Sequence, residues 1–314
     1  MNFPTLKIGH LIPRYPIVQG GMAVRVSTAP LVSAVANAGG VGIIGATGMS
    51  VEELREEIRK ARSMTQGIIG VNIMFAIRNF ADLVGAAIKE RIDVIFTGAG
   101  FSRDVFDWGR EGGVPVVSIV SSARLAKLAE KLGAAAVVAE SGEAGGHLGT
   151  ERTTREILPE IRAAVKIPVI AAGGIVSGRD IAEMVRMGAD GVQMGTRFVL
   201  SEECTVSDAF KQHYLQARAE DVILIKSPVG LLGRAIKNSF TTRMQEGTLS
   251  RLEKCRKCLK VCSQDYCLIQ ALENSQAGLL DEGLVFSGIN VYKIKEILPV
   301  RKIFERLIRE FRSV

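Results

Sequence analysis

His147 is the residue of this sequence best suited to acid–base chemistry. It is one of three histidines, and it ends the segment Glu143-Ala144-Gly145-Gly146-His147. An imidazole with its ordinary pKa near 6.5 exchanges protons at neutral pH. We therefore predict that His147 is catalytic, with a structural loop histidine as the alternative. Glu140 ends the apolar run before this loop, and we expect its carboxyl to contact a ligand.

Two glycine-bearing segments indicate a phosphate site. Gly173-Gly174 and Gly195-Thr196 each follow a short apolar run. Backbone N–H groups in such turns, together with the Thr196 hydroxyl, can hold one phosphate. The alternative is that these glycines only form tight turns. The sequence has no Gly-x-x-x-x-Gly-Lys-Ser/Thr segment, so we do not expect a nucleoside triphosphatase.

Four of the five cysteines lie close together in the pattern Cys-x2-Cys-x3-Cys-x4-Cys. They are Cys255, Cys258, Cys262 and Cys267. Four thiolates can hold Zn²⁺ or an iron–sulfur cluster, although this spacing differs from a standard zinc finger and from the bacterial ferredoxin pattern. Free thiols and a disulfide stay open as alternatives. Any metal here is expected to be structural.

An alternation of short apolar runs and longer helical segments positions these residues. Eight apolar runs precede residue 200, and segments such as Val51–Ser63 and Ser177–Met187 separate them. The alternation predicts parallel βαβ units, and eight units predict an α/β fold of the (β/α)₈, or TIM barrel, type. A doubly wound open sheet is the competing architecture. Active groups of such a barrel lie at the C-terminal ends of the strands.

The alternation stops after Leu200. We predict a barrel over residues 1–200, a small, mostly helical appendage with the cysteines over residues 201–290, and a C-terminal segment over residues 291–314. The spacing of apolar residues in that last segment predicts a basic amphipathic helix over residues 293–312 that packs on the barrel.

Composition and charge exclude several classes of protein. The chain has 314 residues, of which 47% are hydrophobic and 23% charged, as in ordinary globular proteins. Its longest apolar runs, such as Ala134–Ala139, are too short to cross a bilayer. The net charge of +7 suits a solvated surface or an anionic ligand, and no basic stripe indicates nucleic acid. Residues 1–16 lack a signal-peptide pattern, so we expect a cytoplasmic location.

Five segments together resemble the nitronate monooxygenase family, once called 2-nitropropane dioxygenases, and its relatives, the FMN-dependent enoyl-acyl-carrier-protein reductases. The segments are Pro16-Ile17-Val18-Gln19-Gly20-Gly21-Met22, Gly70-Val71-Asn72-Ile73-Met74, Glu143-Ala144-Gly145-Gly146-His147, Ala171-Ala172-Gly173-Gly174-Ile175 and Gln193-Met194-Gly195-Thr196-Arg197-Phe198. The resemblance implies a TIM barrel with one non-covalent FMN and with His147 as the catalytic residue. It implies FMN contacts at Gly21, Met22, Asn72, Glu140, Gly145, Gly146, Gly173, Gly174, Gln193, Met194, Gly195 and Thr196.

Two activities follow from this resemblance. The first is oxidation of alkyl nitronates with O₂ to carbonyl compounds and nitrite. The second is reduction of an enoyl thioester with NAD(P)H, and Glu140 is similar to the reductase branch, since many monooxygenases have Gln there. The expected partner is thus a small molecule, a nitronate or an enoyl thioester, without nucleic acid or membrane. NAD(P)H and a homodimer stay open.

Overall fold

The computed structural model describes residues 1–249 and 255–314. Its strands are β1 (Ile17–Gln19), β2 (Val41–Gly45), β3 (Ile69–Met74), β4 (Val94–Gly98), β5 (Val116–Val120), β6 (Ala136–Glu140), β7 (Gly146–Leu148), β8 (Val169–Ala172), β9 (Gly191–Met194), β10 (Val222–Lys226) and β11 (Leu232–Ile236). Eight parallel strands close into a barrel in the order β1-β2-β3-β4-β5-β6-β8-β9. The TIM barrel predicted from the sequence is therefore confirmed, and the open sheet is excluded.

The helices lie where the sequence periodicity predicts them in the barrel. They are α1 (Ala29–Asn37), α2 (Val51–Met64), α3 (Phe80–Lys89), α4 (Asp104–Gly112), α5 (Ala123–Lys131), α6 (Thr154–Ala164), α7 (Gly178–Arg186), α8 (Thr196–Val199), α9 (Asp208–Gln216), α10 (Ser239–Glu246), α11 (Leu268–Ala277) and α12 (Val300–Arg312). Side-chain caps begin several of them: the Ser50 hydroxyl accepts from the Glu53 N–H at 3.1 Å, which satisfies a backbone donor that the helix cannot pair.

The barrel interior is a separate apolar cluster. Val18, Ile43 and Phe96 point inward and are fully buried, and Leu6 and Ile8 from the segment before β1 pack into the same cluster. The glycine that follows them, Gly9, lies against Pro115 at the start of β5. The end of the barrel where the strands begin is therefore filled, and the opposite end is left for a ligand.

The segment over residues 201–290 contains α9, α10 and α11, and also two strands that the sequence analysis did not include. The strands β10 and β11 form an antiparallel hairpin, and β11 pairs with β7 in the loop that follows β6. His147 lies opposite Gly233 in this pairing. The appendage is thus joined by a small sheet to the loop that carries the predicted catalytic residue.

The C-terminal helix is shorter than predicted. It begins at Val300 instead of residue 293, because Pro299 stands immediately before it and the residue before a proline avoids helical geometry. Its apolar face, with Ile303, Phe304 and Leu307, packs against α7 and α1 and completes the ring of helices around the barrel. Among the described helices, none is both long and apolar enough to cross a membrane.

Candidate active site

One cavity of about 260 Å³ opens at the C-terminal ends of the barrel strands. The appendage covers it, with α9, α11 and the residues around 286–291 forming part of its wall. All of the residues predicted to bind the cofactor or to catalyse line this cavity: Gly21, Met22, Asn72, Glu140, Gly145, Gly146, His147, Gly173, Gly174, Gln193, Met194, Gly195 and Thr196. The fold brings together five segments that are far apart in the sequence.

The loops after β8 and β9 form an anion cradle. Gly173 and Gly174 have φ values of 114° and 72°, a region that favours glycine. A Cβ on Gly173 would lie 2.2 Å from the Ser141 hydroxyl oxygen, so only glycine fits. The backbone N–H groups of Gly174, Gly195 and Thr196 donate to no acceptor in the described part of the chain. These donors fit a phosphate group.

The loop after β1 passes close to two predicted contacts. A Cβ on Gly21 would lie 2.4 Å from Cβ of Asn72, whose side-chain amide donates to the Gly21 carbonyl at 3.3 Å. A Cβ on Gly20 would lie 3.0 Å from Cγ of Gln193. Because the two glycines have no side chains, this part of the cavity wall consists of their backbone and of the Asn72 and Gln193 amides. Flat contact with backbone and amides suits a planar ring system.

Glu140 and Glu143 have different roles, although they are three residues apart. Glu140 lies at the end of β6 and is the one carboxyl among the described residues that lines the cavity. Burial raises its pKa to about 7, because removing water disfavours the charged form. Glu143 accepts from the Thr154 N–H at 2.8 Å and so holds the start of α6.

His147 presents two different nitrogen environments. Its Nε2 lies 2.7 Å from the Ser227 hydroxyl, and its ring packs edge-on against Phe286 at 5.2 Å. Its Nδ1 has no partner among the described residues and is not one of the fully buried polar atoms. Burial lowers the pKa of His147 to about 4, so the imidazole is neutral at neutral pH. A neutral imidazole with one nitrogen on the cavity can donate a hydrogen bond to a ligand, but it is a weak base.

Several residues of the site were not found by sequence reasoning. Ser227 and Phe286 contact His147 from the appendage, and the Tyr214 hydroxyl donates to the Phe286 carbonyl. The Asn290 side chain donates to the Gly174 carbonyl at 2.5 Å. The Gly288 N–H donates to the Thr196 hydroxyl at 2.9 Å, so that oxygen already accepts one hydrogen bond. These contacts join residues about a hundred positions apart, and no local sequence signal identifies them.

The cysteine-bearing segment over residues 255–267, which we call the thiol strap, carries the four thiols that the sequence offers as metal ligands. Among residues 1–249 and 255–314, no three or more His, Cys, Asp or Glu side chains are arranged to hold a metal ion. The backbone N–H of Arg78 donates to the Cys258 carbonyl, and Leu259 pairs with Ile77, whereas Cys267 caps α11. The strap therefore pairs with the segment that follows β3, its four thiols are free in this structure, and a metal bound by them stays a prediction.

Comparisons with known proteins agree with this geometry. A family model described as nitronate monooxygenase matches residues 5–92 and 76–310. A Mycobacterium tuberculosis protein named (3aS,4S,5R,7aS)-5-hydroxy-7a-methyl-1-oxo-octahydro-1H-indene-4-carboxyl-CoA dehydrogenase is 36% identical over 76% of this chain and 67% of its own length. A probable nitronate monooxygenase of Staphylococcus aureus is 30% identical over 74% of this chain and 78% of its own. The solved structure of FabK from Thermotoga maritima shares 35% identity and a TM-score of 0.87, and the match covers 96% of this chain and 94% of that one.

Proposed function

This chain belongs to the nitronate monooxygenase family of oxidoreductases, and we propose that it uses FMN and NAD(P)H to reduce the carbon–carbon double bond of an enoyl thioester. The observation that carries the choice of substrate is the apolar wall that the appendage contributes to the cavity. This wall, the acyl wall, consists of Phe210, Leu268, Ile269, Leu272, Leu284 and Phe286. Such a surface suits an acyl chain, at about 0.8 kcal/mol for each CH₂ removed from water.

The anion cradle and the cavity wall at Gly21, Met22 and Asn72 suit FMN. The free N–H groups of Gly174, Gly195 and Thr196 would hold the phosphate, and the wall at Gly21, Met22 and Asn72 would hold the ring. FMN, when bound, supplies hydride transfer. Below about pH 7 the neutral Glu140 carboxyl can donate a hydrogen bond to a ring acceptor.

His147 polarises the substrate in this proposal. Its Nδ1–H would donate to the carbonyl oxygen of the thioester, where negative charge develops when a hydride adds to the conjugated double bond. A preorganised donor of this kind typically contributes about 10²–10³-fold in rate. The relative from Mycobacterium tuberculosis is named for a carboxyl-CoA, a thioester.

Oxidation of alkyl nitronates with O₂ to carbonyl compounds and nitrite is the second candidate. The low pKa of His147, about 4, favours substrates that already arrive as nitronate anions over neutral nitroalkanes, which need a stronger base. The same Nδ1–H would hold a nitro oxygen. The relative from Staphylococcus aureus carries the name of this activity.

An anaerobic flavin experiment separates the two activities. We expect NADH or NADPH to bleach the flavin of the purified protein and a 2-enoyl-CoA to restore its colour. Bleaching by an alkyl nitronate, but by neither nicotinamide, would overturn the reductase and leave the monooxygenase.

The acyl wall is tested by substitution. Leu272 is partly buried in this wall. Leu272→Asp should raise KM for 2-octenoyl-CoA about 10-fold or more, because two CH₂ groups of the acyl chain that lose apolar contact cost about 1.6 kcal/mol, and should raise KM for crotonyl-CoA less. Leu279→Asp is the matched control, since Leu279 lies on the same appendage but is 60% exposed. Equal effects of the two substitutions, or equal effects on both substrates, would contradict the assignment of the wall.

A further inference from the structure

Ser227 occupies a defined place beside His147. It follows β10 in the hairpin, and its N–H donates to the Leu231 carbonyl at 3.0 Å across the turn. The residue is 6% exposed, and its hydroxyl oxygen lies 2.7 Å from His147 Nε2. Because β11 of the same hairpin pairs with β7, the backbones that carry these two side chains are fixed by one sheet.

We infer that Ser227 is a positioning residue that sets the tautomer of His147, an inference that rests on the proposed function of this site. The Ser227 hydroxyl donates its hydrogen to Nε2, which leaves the ring proton on Nδ1. The nitrogen that faces the cavity thereby becomes a hydrogen-bond donor. Without this contact, histidine in water carries its proton mainly on Nε2, and the cavity would receive an acceptor.

The hydrogen-bond inventory around Ser227 favours this direction. Among the described residues, the short contact of its hydroxyl is with His147 alone. If Nε2 carried the proton, the Ser227 hydrogen would need another acceptor in a buried place, and an unpaired buried donor is costly. When the Ser227 hydroxyl donates to an unprotonated Nε2, its hydrogen has a partner, and the remaining ring hydrogen, on Nδ1, faces the cavity.

The competing arrangement turns the Ser227 hydrogen to Tyr266. This phenol lies close enough for Ser227 to oppose the rise in its pKa that burial causes. However, the Ser227 hydroxyl is within hydrogen-bond distance of His147 and makes no such contact with Tyr266, whose own hydroxyl donates to the Lys226 carbonyl at 3.4 Å. The Ser263 N–H donates to the Pro228 carbonyl at 3.0 Å. The thiol strap thus holds the backbone of the turn on both sides of Ser227, and the turn aims the hydroxyl at His147.

Nitrogen NMR of the flavin-loaded protein tests the inference directly. The chain has only three histidines, so ¹⁵N-histidine labelling gives three imidazole spin systems, and His147→Gln assigns one of them. We expect the wild-type spectrum to show the Nδ1–H tautomer at His147. Ser227→Ala should lower the ratio of Nδ1–H to Nε2–H about 10-fold, the size expected when one buried hydrogen bond is lost.

Two further variants keep the test sharp. Ser227→Thr keeps a hydroxyl and should keep the wild-type tautomer. Tyr266→Phe should also leave it unchanged, whereas it would alter the tautomer if the Ser227 hydrogen pointed to the phenol. Unaltered signals of His10 and His213 and an unaltered flavin content show that each variant is folded.

The outcomes separate this inference from the proposed function. In Ser227→Ala we expect a lower kcat with little change in KM, and recovery in Ser227→Thr. A wild-type Nε2–H tautomer at His147, or the same tautomer with and without Ser227, would overturn the positioning role even if turnover is normal. A shifted tautomer in a protein that turns over neither enoyl thioesters nor nitronates would instead refute the proposed function and support the positioning role.

Discussion

The pKa values of Glu140 and His147 move in opposite directions, and this predicts how folding stability depends on pH. Burial raises the pKa of Glu140 from 4.5 to about 7, so the folded protein keeps a proton that the unfolded chain releases between these values. Burial lowers the pKa of His147 from 6.5 to about 4, so here the unfolded chain keeps the proton. The Glu140 contribution therefore falls as pH rises from 4.5 to 7, while the His147 contribution rises from pH 4 to 6.5.

The two contributions nearly cancel between pH 4.5 and 6.5 in the wild-type protein. Each pKa moves by about 2.5, which at about 1.4 kcal/mol per pH unit gives a ceiling of about 3–4 kcal/mol for each group. Water in the cavity lowers this ceiling. For a chain of 314 residues, about 3 kcal/mol corresponds to about 5 °C in Tm.

Substituting each residue in turn should reveal its own contribution to the pH dependence of stability. In Glu140→Gln, the Tm of the variant minus that of wild type should rise by up to about 5 °C between pH 4.5 and 7 and then level off. In His147→Asn, the Tm of the variant minus that of wild type should fall by a similar amount between pH 4 and 6.5, because only wild type gains stability over this range. Scanning calorimetry of flavin-free protein across pH 4–8 measures both, with the exposed residues controlled by Glu111→Gln and His10→Asn.

The difference from wild type is the informative quantity, because all other titrating groups are common to both proteins. A Glu140→Gln difference that stays constant across pH 4.5–7 would show that the Glu140 carboxyl ionises normally in the folded protein. The argument that burial shapes this site would then fail. Opposite slopes in the two single variants, and a sum of both in the double variant, are the expected pattern.

Three other predictions concern the cofactor and the thiol strap. The purified protein should be yellow and should release FMN, not FAD, on denaturation; a colourless protein that FMN cannot reconstitute contradicts this. Gly174→Ala should weaken FMN binding about 10-fold in a fluorescence titration, because Gly174 has a φ of 72° that alanine adopts only with strain. Gly113→Ala is the control: its φ is 67°, but it does not line the cavity, so the substitution should lower folding stability alone. The double substitution Cys258→Ser and Cys262→Ser should lower the free energy of unfolding by about 1–2 kcal/mol without loss of FMN, because both cysteines pack against the core. If stability is unchanged and the wild-type protein contains no metal, these thiols have no structural role.

The barrel was predictable because each of its strands is a local signal. The runs read from the sequence, such as Val41–Gly45, agree with the observed strands to within a residue at most ends. Once the strand ends are known, the geometry of a parallel barrel places whatever follows them around one mouth. That is why Asn72, Gly174 and His147 could be assigned to one site, although the sequence separates them widely.

The appendage was less predictable, because its structure depends on pairing with the barrel. The run Val222–Lys226 and the turn Ser227-Pro228-Val229-Gly230 do carry a hairpin signal, which the surrounding helical pattern obscured. Nothing local indicates that β11 pairs with β7, or that Ser227 contacts a histidine eighty positions earlier. The thiol strap is the reverse case: its cysteine pattern is a strong local signal, but the described residues show no group of three or more ligands arranged for a metal ion, so the metal stays a prediction.

The location of His147 explains why the appendage has two effects at once. His147 belongs to the barrel by sequence, since it lies in the loop after β6, but it belongs to the appendage by pairing, since β7 extends the sheet of the hairpin. The elements that cover the cavity supply the acyl wall and, through Ser227 and Phe286, also surround the imidazole. The burial that keeps His147 neutral therefore arises with the surface that would select the acyl chain. A change in the appendage that opens the cavity should thus raise the pKa of His147 and weaken acyl-chain selectivity together.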